Sequence, residues 1–423
     1  MTSSATAFTN IRIFDGSSNE LRAGMMVVVD GNAIKAVEPA GPAPSGTRVI
    51  DCGDRVLMPG LIDAHWHATM VRVSPAVALM ADWNYVHALA IAEAEATLLR
   101  GFTTVRDMGG PTFGLKRAID EGITSGPRIY PSGAFISQTS GHGDFRALSD
   151  LPRAAGDPLS YGERLGFTAL ADGPDAVRQR AREQLMRGAT QLKYMAGGGV
   201  ASPHDPIDVT QGTVPEMRAA VEAAENWGTY VTVHAYTPRA IQMAIEAGVK
   251  CIEHGQLADD ETAKIMAAKG IWWSLQPFLD DEDAVPVPNP AGRAKQLQVT
   301  AGTEIAYALA KKHKIKTAWG TDTLFDAKLA TRQGAQLAKL TRWYSPHEVL
   351  KMATADNGEL LATSGPRNPY GKIGVIEAGA MADFVLVDGD PLQNIGLIAD
   401  PGKNFVVIVK DGRIFKNTLK SAA

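Results

Sequence analysis

The sequence predicts an α/β protein, a (β/α)8 TIM barrel carrying a small β-sandwich built from both chain ends, and three observations predict it. Short apolar strand patterns alternate with helix-period stretches from about residue 59 to 363. The two flanks read instead as runs of short strands punctuated by Asp-Gly turns. Finally, histidine, lysine and aspartate residues stand where the predicted barrel strands end, and that is the face on which barrel enzymes build their active sites.

The N-terminal flank, residues 1–58, carries NIRIFDG, GMMVVVDG, AIKAVEPAG and RVIDCG; the C-terminal flank, residues 364–423, carries GKIGVIEAG, ADFVLVDG and FVVIVKDGRIF. The simplest assembly pairs the two flanks in one β-sandwich domain and leaves residues 59–363 as the barrel domain. Its eight strands are expected in LIDAHWH (61–67), FTTVRDMG (102–109), RIYPSGAFIS (128–137), TQLKYMAGG (190–198), YVTVHAY (230–236), CIEHG (251–255), IWWSLQPF (271–278) and KTAWGTD (316–322). Between them, stretches such as ADWNYVHALAIAEAEATLLRG, DAVRQRAREQLMRG and VPEMRAAVEAAENWG have helical period and end in glycine, the preferred helix stop. The segment from Ser137 to about Gly173 is long for a βα connection and reads as a lid or binding loop. Arg146 and Arg153 on it are candidate carboxylate holders, or solvated surface arginines.

Composition excludes several function classes. With 423 residues, 45% of them hydrophobic and 21% charged, the chain is globular and able to bury a large core. A net charge of −4 without basic clusters leaves no electrostatic footprint for nucleic acid or an anionic membrane surface. No apolar run approaches the ~20 residues of a spanning helix. The start MTSSATAFTNIRIFDG lacks a basic and then apolar signal region, so the expected location is the cytoplasm unless a leader has been trimmed. Two cysteines, Cys52 and Cys251, make no disulfide framework, and Cys251, three residues before His254, is expected as a packed thiol.

His65 and His67, two apart on one strand, share a face and offer two imidazoles to a divalent metal such as zinc, which takes neutral imidazole nitrogens at about 2 Å. The alternative is a pair that satisfies only local hydrogen bonds. Lys193, His234, His254 and Asp322 close four further strands in order, so that four of the nine histidines stand at strand ends. Taken alone, Asp322 reads equally as the N-cap of a following helix; in company with four histidines it reads as a ligand. Lys193 is the odd member, because a protonated ammonium cannot ligate a metal and is costly to bury unpaired. Neutral, it is a nucleophile toward carbon dioxide, and the resulting carbamate has two oxygens with which to bridge metals. His142, in SGHGD beyond the third strand, is a candidate for the substrate's carbonyl or carboxylate, its alternative being a solvated loop histidine. Tyr236 follows His234 by two, shares its inward face and stands one layer nearer the mouth. The Gly197–Gly199 run with Ser202 and His204 shapes a loop; it is not a phosphate cradle, because the lysine and hydroxyl residue of a P-loop do not follow.

MPGLIDAHWH, LKYMAGGG with Lys193, TVHAY with His234, IEHG with His254, GTD with Asp322 and the closing ADFVLVDGDP make the sequence resemble the amidohydrolase superfamily. GFTTVRDMGG and SGHGDFR make it similar to the branch of prolidase-like metallo-carboxypeptidases and ochratoxin A-degrading amidohydrolases. The resemblance implies two divalent ions, zinc fitting the mixed ligation best. It implies His65, His67 and Asp322 on one ion, His234 and His254 on the other, and N6-carboxylated Lys193 between them. Asp322 and Lys193 are then the catalytic pair, Asp322 taking a proton from the attacking water and returning it to the leaving amine. His142 and Tyr236 are implied in binding a substrate carboxylate. The activity implied is hydrolysis of the amide or peptide bond before a C-terminal amino acid with a free carboxylate, in small amides or dipeptides; ochratoxin A, split to ochratoxin alpha and L-phenylalanine, is one specific candidate. A cyclic-amide or imidazolone hydrolase is the alternative. A non-catalytic relative is more remote, since all six ligand positions are intact. A homo-oligomer, by resemblance an octamer, is expected, with IWWSLQPF and TRWYSP as interface candidates, although such aromatic runs are more often core.

Overall fold

In the computed structural model, which describes residues 5–154 and 156–419, the N-terminal flank forms β1 (Thr6–Ile13), β2 (Arg22–Asp30), β3 (Ala33–Pro39) and β4 (Arg48–Pro59). The parallel strands of the barrel region follow as β5 (Leu61–Trp66), β6 (Phe102–Asp107), β7 (Arg128–Pro131), β8 (Phe135–Ser137), β9 (Thr168–Leu170), β10 (Leu192–Met195), β11 (Val231–Ala235), β12 (Cys251–His254), β13 (Trp272–Leu275) and β14 (Thr317–Trp319). The C-terminal flank adds β15 (Phe384–Val387), β16 (Phe405–Lys410) and β17 (Arg413–Asn417).

Both flanks meet in one hydrogen-bonded sheet of order β17-β16-β15-β4-β1-β2-β3, as expected of a domain built from both chain ends. The long β4 joins its two leaves: it runs parallel to β1 and antiparallel to β15. Apolar side chains from both leaves share one core, in which Phe8 of β1 meets Phe384 of β15 edge-on at 4.9 Å. The Asp-Gly signal at Asp411-Gly412 is a two-residue hairpin between β16 and β17 with φ of 56° and 68°, the positive pair that such a turn requires.

The barrel strands pair in parallel as β5-β6-β7 and as β14-β13-β12-β11-β10-β8-β9. Two details depart from eight uninterrupted strands. The third strand is broken into β7 and β8 at Gly133 (φ 72°), where a side chain would collide with Phe113 and with Gln184, whose Oε1 accepts the freed Ala134 N–H at 3.0 Å. The long segment after Ser137 also contributes a strand of its own, β9, which lies parallel against β8. The β5–β14 seam is stitched by side chains: Asn357 donates to the carbonyls of Ile62 (2.7 Å) and Trp319 (2.8 Å) and accepts Trp319 N–H. Asp63 accepts Thr321 N–H and Oγ1–H across the same seam.

The run IWWSLQPF is core, whereas TRWYSP is half-buried at Trp343 and Tyr344. Trp272, Trp273 and Leu275 are buried, and Trp343 stacks on buried Tyr307 at 4.1 Å. Long apolar strands of this kind are sandwiched between helices and barrel interior, so they spend their area inside the chain. Among the described residues no helix is long and apolar enough to cross a membrane.

Candidate active site

A cavity of about 370 Å³ opens at the C-terminal ends of the barrel strands, and the six ligand candidates, His142 and Tyr236 all line it. His65 closes β5 and His67 follows it; Lys193 lies on β10, His234 on β11 and His254 at the end of β12, while Asp322 lies just past β14. Two of these have left-handed backbones, His254 at φ 74° and Asp322 at φ 48°. Strict alternation along β12 sends Glu253 and His254 to opposite faces; the turn at His254 brings both inside. Strain at non-glycine residues of this kind is held in place by the surrounding packing and gathers at functional sites. Asp322 is not a helix N-cap: the next helix, Ala327–Ala330, is capped by Asp326.

Asp322 is the hub. Its Oδ1 lies 3.4 Å from His65 Nε2 and 3.3 Å from His67 Nε2, and Oδ2 lies 4.0 Å from His254 Nδ1. Ligand atoms of His65, His254 and Asp322 fall within 4.8 Å of one another, close enough to share one ion. The His234 and His254 ring centres are 4.6 Å apart. Two of the rings are turned by acceptors behind them: His65 Nδ1–H donates to Glu253 Oε2 (2.8 Å) and His254 Nδ1–H to Gln276 Oε1 (2.7 Å), leaving each Nε2 for a ligand. His234 Nε2 meets the Gly198 carbonyl at 3.0 Å.

Burial pushes the His65 imidazole down to about 4, and it holds His234 and His254 well below the ordinary histidine value, with the Lys193 charge adding to the effect. Neutral imidazole is the form that binds metal. Burial likewise pulls the Lys193 amine down to about 8, against the attraction of Glu253 and Asp322. Lys193 is 2% exposed, and among the described residues its Nζ has no hydrogen-bond or ion-pair partner. For Asp322 burial opposes the charge, but the surrounding imidazoles outweigh it and hold the carboxyl below the usual carboxylate range. Neutral imidazoles, an ionised carboxylate and a partnerless buried amine facing one another form a donor set that fits divalent metals of the zinc type.

His142 and Tyr236 stand beside this group. The His142 ring stacks on His234 with centres 4.2 Å apart, its Nδ1 2.6 Å from Ser202 Oγ, and Gly199 leaves room for it, since a Cβ there would overlap the imidazole. The Tyr236 ring packs on His234 and His254 at 4.9 and 5.3 Å. Burial raises its phenol above the usual tyrosine value, so it stays a hydrogen-bond donor. Neither His142 Nε2 nor the Tyr236 hydroxyl has a protein partner among the described residues. Arg146 and Arg153, by contrast, are spent inside their own segment, on Asp144 (2.6 Å) and Glu163 (2.9 Å). Arg153 stays partly exposed to solvent, and neither arginine lines the cavity.

Sequence reasoning missed the floor under the histidines. Arg106, fully buried, donates to Glu253 Oε1 (2.6 Å), to the Ala64 carbonyl (2.6 Å) and to Tyr230 Oη (3.1 Å). The Glu253 charge therefore reaches His65 with a fixed counter-charge behind it. The signal was one arginine directly after the run FTTV and one glutamate beside the histidine of CIEH, both unexplained by a simple two-residue period.

The fold and this site define a class: the chain belongs to the amidohydrolase family, whose signature matches residues 56–415. Among particular proteins it is similar to the ochratoxinase of Aspergillus niger, 34% identical over 395 residues that cover 85% of this chain and 76% of that one. Its fold is similar to the crystal structure of an amidohydrolase, with TM-score 0.90, 35% identity and coverage of 98% of this chain and 100% of the other. It is equally similar to that of a prolidase complexed with N-methylphosphonate-L-proline, with TM-score 0.89, 34% identity and coverage of 98% and 100%. The resemblance to the prolidase-like and ochratoxin-degrading branch is thereby borne out.

Proposed function

We propose that this amidohydrolase is a two-metal hydrolase that cleaves the amide or peptide bond preceding a C-terminal amino acid whose carboxylate is free. The observation that carries the reading is a pair of rings on the cavity wall, half-buried His142 and buried Tyr236, each with a polar atom left to the cavity beside Asp322 and the histidine cluster. Two divalent ions, held by His65, His67 and Asp322 and by His234 and His254 with carboxylated Lys193 between them, would supply an acidified water and a Lewis acid for the carbonyl.

The chain's own residues do the rest. Asp322, kept ionised, accepts the proton of the attacking water and delivers it to the departing amine nitrogen, so the amine leaves neutral. The Tyr236 hydroxyl donates to the substrate carboxylate. Burial lowers the His142 imidazole to about 4, and the incoming carboxylate would supply the counter-charge with which it takes a second proton, so that Nε2–H donates as well. Together they fix the scissile carbonyl relative to Asp322, and such positioning is worth several kcal/mol of the barrier. Met70, Phe135, Phe145, Phe167 and Phe278 line the remaining wall and suit an apolar acyl group. The similarity to an ochratoxinase and to a prolidase bound to a proline derivative supports the same reading, and ochratoxin A is a specific candidate substrate.

The test is a panel of N-acyl amino acids, each as free acid and as C-terminal amide, assayed before and after chelation and re-addition of zinc. Expected are metal-dependent turnover and a loss of about 10² or more in kcat/KM on amidation, the size expected when a site built for a polar group meets an analogue lacking it. Equal turnover of acid and amide would overturn the carboxypeptidase reading in favour of a cyclic-amide hydrolase. Undiminished activity after chelation would overturn the metal reading.

A further inference from the structure

His142 is gripped from behind by the loop that follows β10. Its Nδ1 lies 2.6 Å from Ser202 Oγ, and the Ser202 hydroxyl reaches the Gly199 carbonyl at 3.4 Å. Behind them stands Asp205, 2% exposed and absent from the cavity lining. Its Oδ2 accepts Gly199 N–H at 2.9 Å and Gln211 Nε2–H at 3.0 Å, and lies 3.9 Å from His142 Nδ1. Its Oδ1 is buried with no hydrogen-bond partner among the described residues. Gln211 in turn accepts the His142 backbone N–H at 2.7 Å, so both the ring and the backbone of His142 lead to this one carboxylate.

Among the described residues, His142 Nδ1 is the only basic nitrogen within 4 Å of the Asp205 carboxylate oxygens. Lys295, on the helix Pro290–Lys312, gives Nζ to the carbonyls of Gly199 (3.1 Å), Ser202 (3.0 Å) and Asp205 (2.6 Å). An ammonium has three protons, so Lys295 is saturated by the loop backbone and serves to lock the loop. A buried carboxylate with one idle oxygen is costly, and such groups persist where their charge orients a neighbour.

We propose that Asp205 is a positioning residue for His142, holding the Nδ1 edge of the ring to the loop so that the Nε2 edge faces the substrate. This rests on the assignment of His142 to the substrate carboxylate. Asp205 touches no substrate and acts through the ring alone, by the attraction of its charge for the Nδ1 edge and by the Gly199 and Gln211 contacts that set the backbone.

The variants are Asp205→Asn, which keeps shape and loses charge, and Asp205→Ala. Both are compared with the wild type, fully metallated, on one N-acyl amino acid and its C-terminal amide, alongside metal content, thermal unfolding and the crystal structure of each variant. The expected result is a rise in KM for the free acid of about tenfold or more with kcat little changed, the scale on which outer-layer partners act. Turnover of the amide stays within about threefold, metal content is unchanged, and in Asp205→Ala the His142 ring is turned or displaced. A proportional fall on acid and amide, or an unmoved ring with full acid preference, overturns the proposal. If the wild type itself shows no acid preference, the carboxylate reading fails and the ring decides: displaced in Asp205→Ala supports the positioning role, unmoved overturns it.

Discussion

At the scale of single residues, Lys193 decides the chemistry. A lysine buried to 2% exposure without a partner among the described residues is a poor structural choice, since a charged amine there is unpaired and a neutral one is reactive. With its amine pulled down to about 8 by burial, a substantial neutral fraction exists near neutral pH, the form able to add carbon dioxide. Lys193→Ala is expected to lower kcat/KM by on the order of 10³ or more, the effect of removing a metal-organising charge from a preorganised site. The metal content should fall with it, while circular dichroism and thermal unfolding stay near wild type, because the buried amine makes no hydrogen bond to lose. Retention of most activity and of the metal in that variant would make the lysine structural.

At the scale of elements, the barrel's closing seam and the site are the same structure. Gly320, between β14 and Asp322, lies so close to β5 that a Cβ would overlap the backbone and side chain of His65. The Asp322 N–H donates to the His65 carbonyl at 2.8 Å, so strand closure sets the distance between these two residues. Gly320→Ala is therefore expected to destabilise by about 1–3 kcal/mol, the usual range for overpacking. Because the adjustment falls on His65, kcat should drop more than the melting temperature suggests; an active variant with wild-type kcat would separate the seam from the site. Asn357 works at the same seam, satisfying carbonyls of β5 and β14 where no strand ladder reaches.

At the scale of the whole molecule, neither thiol is available. Cys52 lies in the core of the end-built sheet, and Cys251 on the barrel floor near Arg106 and Glu253. Burial pushes both thiols up to about 12, so thiolate is scarce at neutral pH. Ellman's reagent should accordingly label neither cysteine in the native protein and both after denaturation. Rapid native labelling of one would place it in a segment that opens without global unfolding.

Period and spacing alone determined much of this protein. The alternation of strands and helices, the sheet from both chain ends and the residues around the cavity were legible because strand-end positions in a barrel all point to one face, whatever the loops do. The local detail was not. The break at Gly133, the extra strand β9 and the inward turn of Glu253 depend on backbone angles and on partners distant in sequence, such as Gln184 and Arg106. A two-residue period cannot encode a left-handed residue at its end, so by itself it does not bring His254 and Glu253 to one face. The roles of Arg146 and Arg153 were likewise decided only in three dimensions, where acidic residues of their own segment outcompete the cavity for them. The hold of Asp205 on His142 belongs to the same class: 63 residues separate them in sequence, and only the folded loop, locked by Lys295, brings the carboxylate within 3.9 Å of the ring.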